Sequence, residues 1–90
     1  MTEDIERLMM AAARVADNSG AGHAWAAVVT SSGISQAVAD RFLTTRQLDA
    51  HITIEYISGA NGQSWQLTPS AQIAMKRLLA AEANRPPFRQ

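Results

Sequence analysis

The chain has 90 residues, no cysteine, and eight basic side chains balanced by eight acidic ones. A chain of this length makes one domain that buries only roughly 60–65% of its unfolded surface, and the lack of Cys excludes a disulfide framework, thiolate zinc sites and thiol catalysis. Zero net charge counts against a protein held on nucleic acid by many phosphate contacts, although local patches matter more than totals.

Much of the apolar content is Ala. The bulky residues are Trp25, Trp65, Phe42 and Tyr56 with scattered Ile, Leu, Val and Met. So thin a core suits a homodimer. No apolar run approaches the ~20 residues of a bilayer span. The acidic start, Glu3, Asp4 and Glu6, is opposite in sign to a signal peptide. A cytoplasmic address is expected.

Residues 3–17 read as an amphipathic helix, with Ile5, Leu8, Met9, Ala12 and Val15/Ala16 at i, i+3, i+4, i+7 spacing. Thr2 can cap it, the acidic first turn suits the helix dipole, and Asn18-Ser19-Gly20 supplies a stop. Gly20-Ala21-Gly22 reads as a linker. Residues 23–30 are helix or strand: Ala favours one, the Val pair the other, and so short an apolar run has no decisive period. Helix is the preferred reading.

A helix over 35–42 follows from Ser35 as cap and Ile34, Val38 and Phe42 on one face. Thr44 or Thr45 then caps a second short helix over 45–51, with Leu48 and Ile52 inward. Ile52-Thr53-Ile54-Glu55-Tyr56 alternates with β-branched residues. Gln63 to Thr68 answers it with Trp65 and Leu67 on one face. Between them Gly59-Ala60-Asn61-Gly62 supplies positive-φ residues, so a hairpin spans 52–68. Thr68-Pro69 opens a last helix over 69–83, Thr as cap and Pro at the first helical position. Pro86-Pro87 closes a single domain of residues 1–84, leaving 85–90 as a tail. The fold class is α+β, a small helical domain with one β-hairpin.

Catalytic and metal-binding patterns are missing. His23 and His51 lie far apart, and Asp49, His51 and Glu55 are more simply a solvated polar face than a ligand set. Ser31-Ser32-Gly33 is not a nucleophile elbow, and Gly20-Ala21-Gly22 is not a dinucleotide fingerprint. No carboxylate pair suggests an acid/base couple. The residues predict a non-enzymatic protein with no cofactor and no metal. Ile5, Leu8, Met9 and Met10 on the first helix are candidates for a dimer or partner surface, Met being adaptable; core packing is the commoner use of such residues.

The order of elements over 33–79 resembles the winged helix-turn-helix family. Gly33 to Phe42 looks like the first motif helix, Leu43 to Ile52 like the turn and recognition helix, and the hairpin like the wing. The Leu67-Thr68-Pro69 step resembles the segment that follows the wing in many bacterial regulators. The resemblance implies that Thr45, Arg46, Gln47 and His51 enter a major groove, where Arg and Gln read guanine and adenine edges. It also implies that Asn61 and Gln63 at the wing tip touch backbone or minor groove.

Two functions stand side by side. One is a winged-helix-like DNA-binding transcriptional regulator, dimeric through the first helix. The other is a protein-binding antagonist or inhibitor, of phage or regulator type, that masks a partner. Charge supports the second: residues 33–58 set two arginines, Arg41 and Arg46, against Asp40, Asp49 and Glu55. The hairpin edge could also accept a partner strand.

Overall fold

The computed structural model describes residues 2–56 and 63–83. In chain order these form α1 (Glu3–Val15), β1 (Ala21–Gly22), α2 (Trp25–Ser32), α3 (Gln36–Thr44), β2 (Ile52–Tyr56), β3 (Gln63–Leu67) and α4 (Pro69–Ala83). The strands make one antiparallel sheet in the order β1-β3-β2.

Helix α1 starts where the sequence predicts it. The Thr2 hydroxyl accepts from Ile5 N at 3.3 Å, and Glu3, Asp4 and Glu6 fill the first turn. It ends at Val15 rather than 17, because Ala16 is already extended and Asp17 organises the next turn. Asp17 Oδ1 accepts from Ser19 N at 2.8 Å, Ser19 Oγ at 2.6 Å and Ala21 N at 3.2 Å, with Gly20 at φ 79°. Such an Asx turn offers the backbone partners that a further helical turn would otherwise supply.

That turn delivers the chain into β1, where the sequence suggested only a linker. Two residues carry no readable alternation, yet they pair in register, Ala21 with Gln66 and Gly22 with Trp65. The ambiguous run at 23–30 resolves as helix α2, which ends at Gly33 in the left-handed conformation, φ 77°. Ser35 caps α3 as predicted, accepting from Val38 N at 3.3 Å.

The predicted helix over 45–51 is not formed; the segment is a run of turns. The cause is a Schellman closure of α3. Arg46 takes φ 61°, Gln47 N donates to Phe42 O at 2.9 Å, and Arg46 N donates to Leu43 O at 3.1 Å. The chain then turns again, with His51 N and Ile52 N both donating to Leu48 O. Leu48 is buried as expected, but from a turn.

Strands β2 and β3 confirm the two arms of the hairpin, pairing Ile52 with Leu67 through Tyr56 with Gln63. The connection at 57–62 and the tail at 85–90 lie outside the described residues. Ile52, Trp65 and Leu67 are buried on the inner face and Ile54 half-buried, whereas Thr53, Glu55 and Gln66 are exposed. Thr68 N donates to His51 O and Leu67 N to Gly20 O. With the antiparallel alternation, Thr53 and Glu55 therefore turn their amides toward β3, and Ile54 turns its amide and carbonyl to the outer edge of β2.

The core collects one face of each helix and the inner face of the sheet. Ile5, Leu8, Met9, Trp25, Val28, Leu48, Trp65, Leu67 and Met75 are all buried in it. Trp25 and Trp65 meet edge to face, ring centroids 6.5 Å apart at 67°. Helix α1 packs against α2 and α4, while α3 packs on α2. Gln72 ties α4 to the sheet, its Nε2 donating to Leu67 O at 3.1 Å and Ser19 O at 3.3 Å. Thr68 Oγ1 accepts from Ala71 N and donates to Ala50 O, joining the cap of α4 to the turn before β2.

Candidate functional site

Ile5, Leu8 and Met9 are not a surface open to a partner. They are buried within the chain's own core, and Met10 is half-buried beside them. The apolar stripe that suggested a dimer seam is consumed by α2, α4 and the sheet. Apart from Val15 at its C-terminal end, what α1 leaves exposed is polar, including Glu3 and Arg7 paired at 3.3 Å.

The residues expected to read a groove are brought together, but as the closure of α3 and not as a helix of their own. Thr45 Oγ1 donates to Arg41 O at 2.8 Å and accepts from Gln47 Nε2 at 2.7 Å. Arg46, in its left-handed position, is paired with Asp49 through Nε at 3.0 Å. Three of the four side chains are thus engaged locally while remaining exposed. His51 is half-buried and its carbonyl joins the hairpin ladder. Gln63 opens β3 opposite Tyr56, and Asn61 lies outside the described residues.

The exposed face of α3 presents a different set. Gln36, Ala37, Asp40, Arg41 and Thr44 are exposed, Ala39 is fully buried, Phe42 and Leu43 are half-buried against the core, and Val38 is half-buried. The exposed positions follow i, i+1, i+4, i+5, i+8, one stripe of a helix. Gln36 Nε2 donates to Asp40 Oδ1 at 2.8 Å. Among the described residues neither Asp40 nor Arg41 forms an ion pair. The sequence reading took its groove-facing side chains from 45–51 and gave no weight to this stripe. Gly33 as a left-handed stop, followed by Ser35 as a cap, was the signal that 33–35 is a turn between two helices.

A cleft of about 200 Å³ on the outer sheet face is lined by His23, Thr53, Glu55, Ser64 and Gln66. A second, of about 80 Å³, lies where α4 meets the turn before β1 and includes Asp17, Gln72 and Lys76. Among the described residues, Asp17 has a perturbed carboxyl. Hydrogen bonds from the Ser19 hydroxyl, then the Ser19 and Ala21 amides, hold its carboxyl below the usual aspartate range despite an opposing desolvation effect, and nearby His23 lowers it further. No helix among the described residues is long and apolar enough to cross a membrane.

The arrangement helix, short strand, two helices, two-stranded ribbon and closing helix has a structural counterpart. The chain is similar to the crystal structure of Sso10a-2, a DNA-binding protein from Sulfolobus solfataricus, with a TM-score of 0.52 over 88% of this chain and 81% of that one. The fold is winged-helix-like. Sequence identity to Sso10a-2 is 13%, so the likeness is one of architecture. No family model matches the sequence, and the search of curated proteins found no match.

Proposed function

We propose that this chain is a DNA-binding regulator in which α2 and α3 form the helix-turn-helix and α3 lies in the major groove. The observation that carries this reading is the polar stripe of α3: Gln36, Asp40, Arg41 and Thr44 stand exposed on a helix whose other face is anchored on α2. A groove-reading helix needs this division, a rigid apolar back and side chains with donors and acceptors at the front. The structural likeness to a DNA-binding protein supports it. The closure at Thr45, Arg46 and Gln47 then sits at the C-terminal end of the reading helix, suited to phosphates more than bases. The outer hairpin is the wing. Regulation of transcription, action as a homodimer and a cytoplasmic location complete the proposal.

Fluorescence anisotropy with random-sequence and selected duplexes at low salt tests it. Binding is expected, and Arg41→Ala should weaken it about 5- to 150-fold if Arg41 reads a base. No anisotropy change with any duplex at low salt overturns the reading.

One observation favours a protein partner instead. Strand β2 is one of the sheet's two edges, and the Ile54 backbone faces away from β3, so a partner strand could add there. Under that reading the protein is an antagonist that masks its partner, and DNA is not bound.

A further inference from the structure

Resting on the DNA reading, we infer that α3 is a sequence-selective reader in which Gln36, oriented by Asp40, reads an adenine edge. An ionised carboxylate only accepts hydrogen bonds, so contact with Asp40 Oδ1 at 2.8 Å fixes which end of the Gln36 amide faces along the helix. Nε2 is directed at Asp40. Oε1 and the second N–H of the same nitrogen remain for another partner. With the N–H trans to Oε1 given to Asp40, Oε1 and the cis N–H stand side by side as the acceptor and donor that match adenine N6–H and N7. Gln36 is the first residue of α3, at the end from which helix-turn-helix proteins usually reach base edges. Holding a flexible amide in its reading rotamer before contact reduces the ordering cost on binding.

Asp40 has a second consequence. It is exposed and forms no ion pair among the described residues, so its negative charge faces whatever α3 meets. Opposite a phosphate backbone that charge weakens every complex alike, random duplexes included. The penalty is common to all sites and leaves their affinity ratio unchanged, but it lowers non-specific binding, so a site is held only where base contacts offset the repulsion. With as many acidic as basic side chains in the whole chain, base contacts must supply more of the affinity than in a basic, non-selective DNA binder. Asp40 is accordingly a positioning residue acting through Gln36, and Gln36 is the residue that touches the base.

The test is selection of duplexes from a random pool, followed by affinities for the selected site, its single-base variants and random duplex. Wild type, Gln36→Ala, Asp40→Ala and Asp40→Asn are compared, with circular dichroism to check folding of variants at these two exposed positions. Wild type should enrich a site with adenine at one defined position. Gln36→Ala and Asp40→Ala should each lose about 5- to 150-fold discrimination there. Asp40→Asn retains an acceptor oxygen for Gln36, so it should keep the adenine preference while binding random duplex more tightly. Retention of the preference in Asp40→Ala or Gln36→Ala overturns the inference. Wild-type binding with no enriched site overturns it too, but leaves the DNA reading standing. Absence of any wild-type binding removes both.

Discussion

Gly22 lies in β1 opposite Trp65, and a Cβ placed on it would stand 2.7 Å from Trp65 Cε2 and closer still to Cζ2. The obstruction is a rigid indole, itself buried against Trp25, so it cannot swing aside cheaply. Gly22→Ala should therefore cost about 1–3 kcal/mol, the usual penalty of overpacking. Urea denaturation followed by tryptophan fluorescence reads this directly, both indoles being buried. An unchanged midpoint would mean that β1 can draw away from β3. Asp17 gives a second prediction at this scale. Its folded-state carboxyl is held below its unfolded value by the Ser19 and Ala21 hydrogen bonds. Its contribution is thus complete above the ordinary aspartate pKa and disappears as pH falls through the lowered folded value. Asp17→Asn should flatten the acid limb of the stability profile, and an NMR titration of the Asp17 carboxyl should show the depressed midpoint.

At the scale of elements, the closure of α3 stores strain that a single substitution can release. Arg46 occupies the left-handed position of a Schellman motif, where a side chain costs roughly 1 kcal/mol and glycine nothing comparable. Its ion pair with Asp49 is exposed on both sides and is worth at most about 1 kcal/mol. Arg46→Gly should accordingly leave stability unchanged or raise it slightly, measured as a shift in urea midpoint. A loss above about 2 kcal/mol would mean that the Arg46–Asp49 pair holds the turn, contrary to the usual weakness of exposed pairs. The same residue shows where sequence reading stopped. Arg carries no signature of positive φ, so Thr45 to His51, with Leu48 and Ile52 well spaced, looked like a helix. Gly33 does carry that signature, and the β2 and β3 arms were legible because Ile52, Ile54, Trp65 and Leu67 alternate. Strand β1 was not, since two residues cannot show a period. Nor could the run at 23–30 be resolved until Trp25 and Val28 were seen to face the same core. Because 45–51 closes α3 and forms no helix of its own, the proposed reading surface is the exposed stripe of α3.

At the scale of the whole molecule, the balance of charge limits how a duplex could be held under the proposed DNA reading. Each neutralised phosphate contributes about −0.9 to the slope of log K against log salt. Arg41 lies on α3 and Arg46 at its closure, whereas Lys76 and Arg77 belong to α4, which packs along α1. Lys76 lines the cleft with Asp17 and Gln72 at the opposite end of α1 from the Thr2 cap. A duplex docked on α3 therefore meets few cations, and Asp40 and Asp49 partly offset those it meets. The expected slope is about −2 to −3, and Arg41→Ala should make it shallower by about 1 if that guanidinium rests on a phosphate. If Arg41 instead reads a base, the variant should relax preference at one position and leave the slope nearly unchanged, which separates its two possible roles. A measured slope of about −6 or steeper requires more cations than α3 and its closure hold. The duplex would then have to lie across α4 as well, and the neutral stripe on α3 would no longer be the surface that selects it.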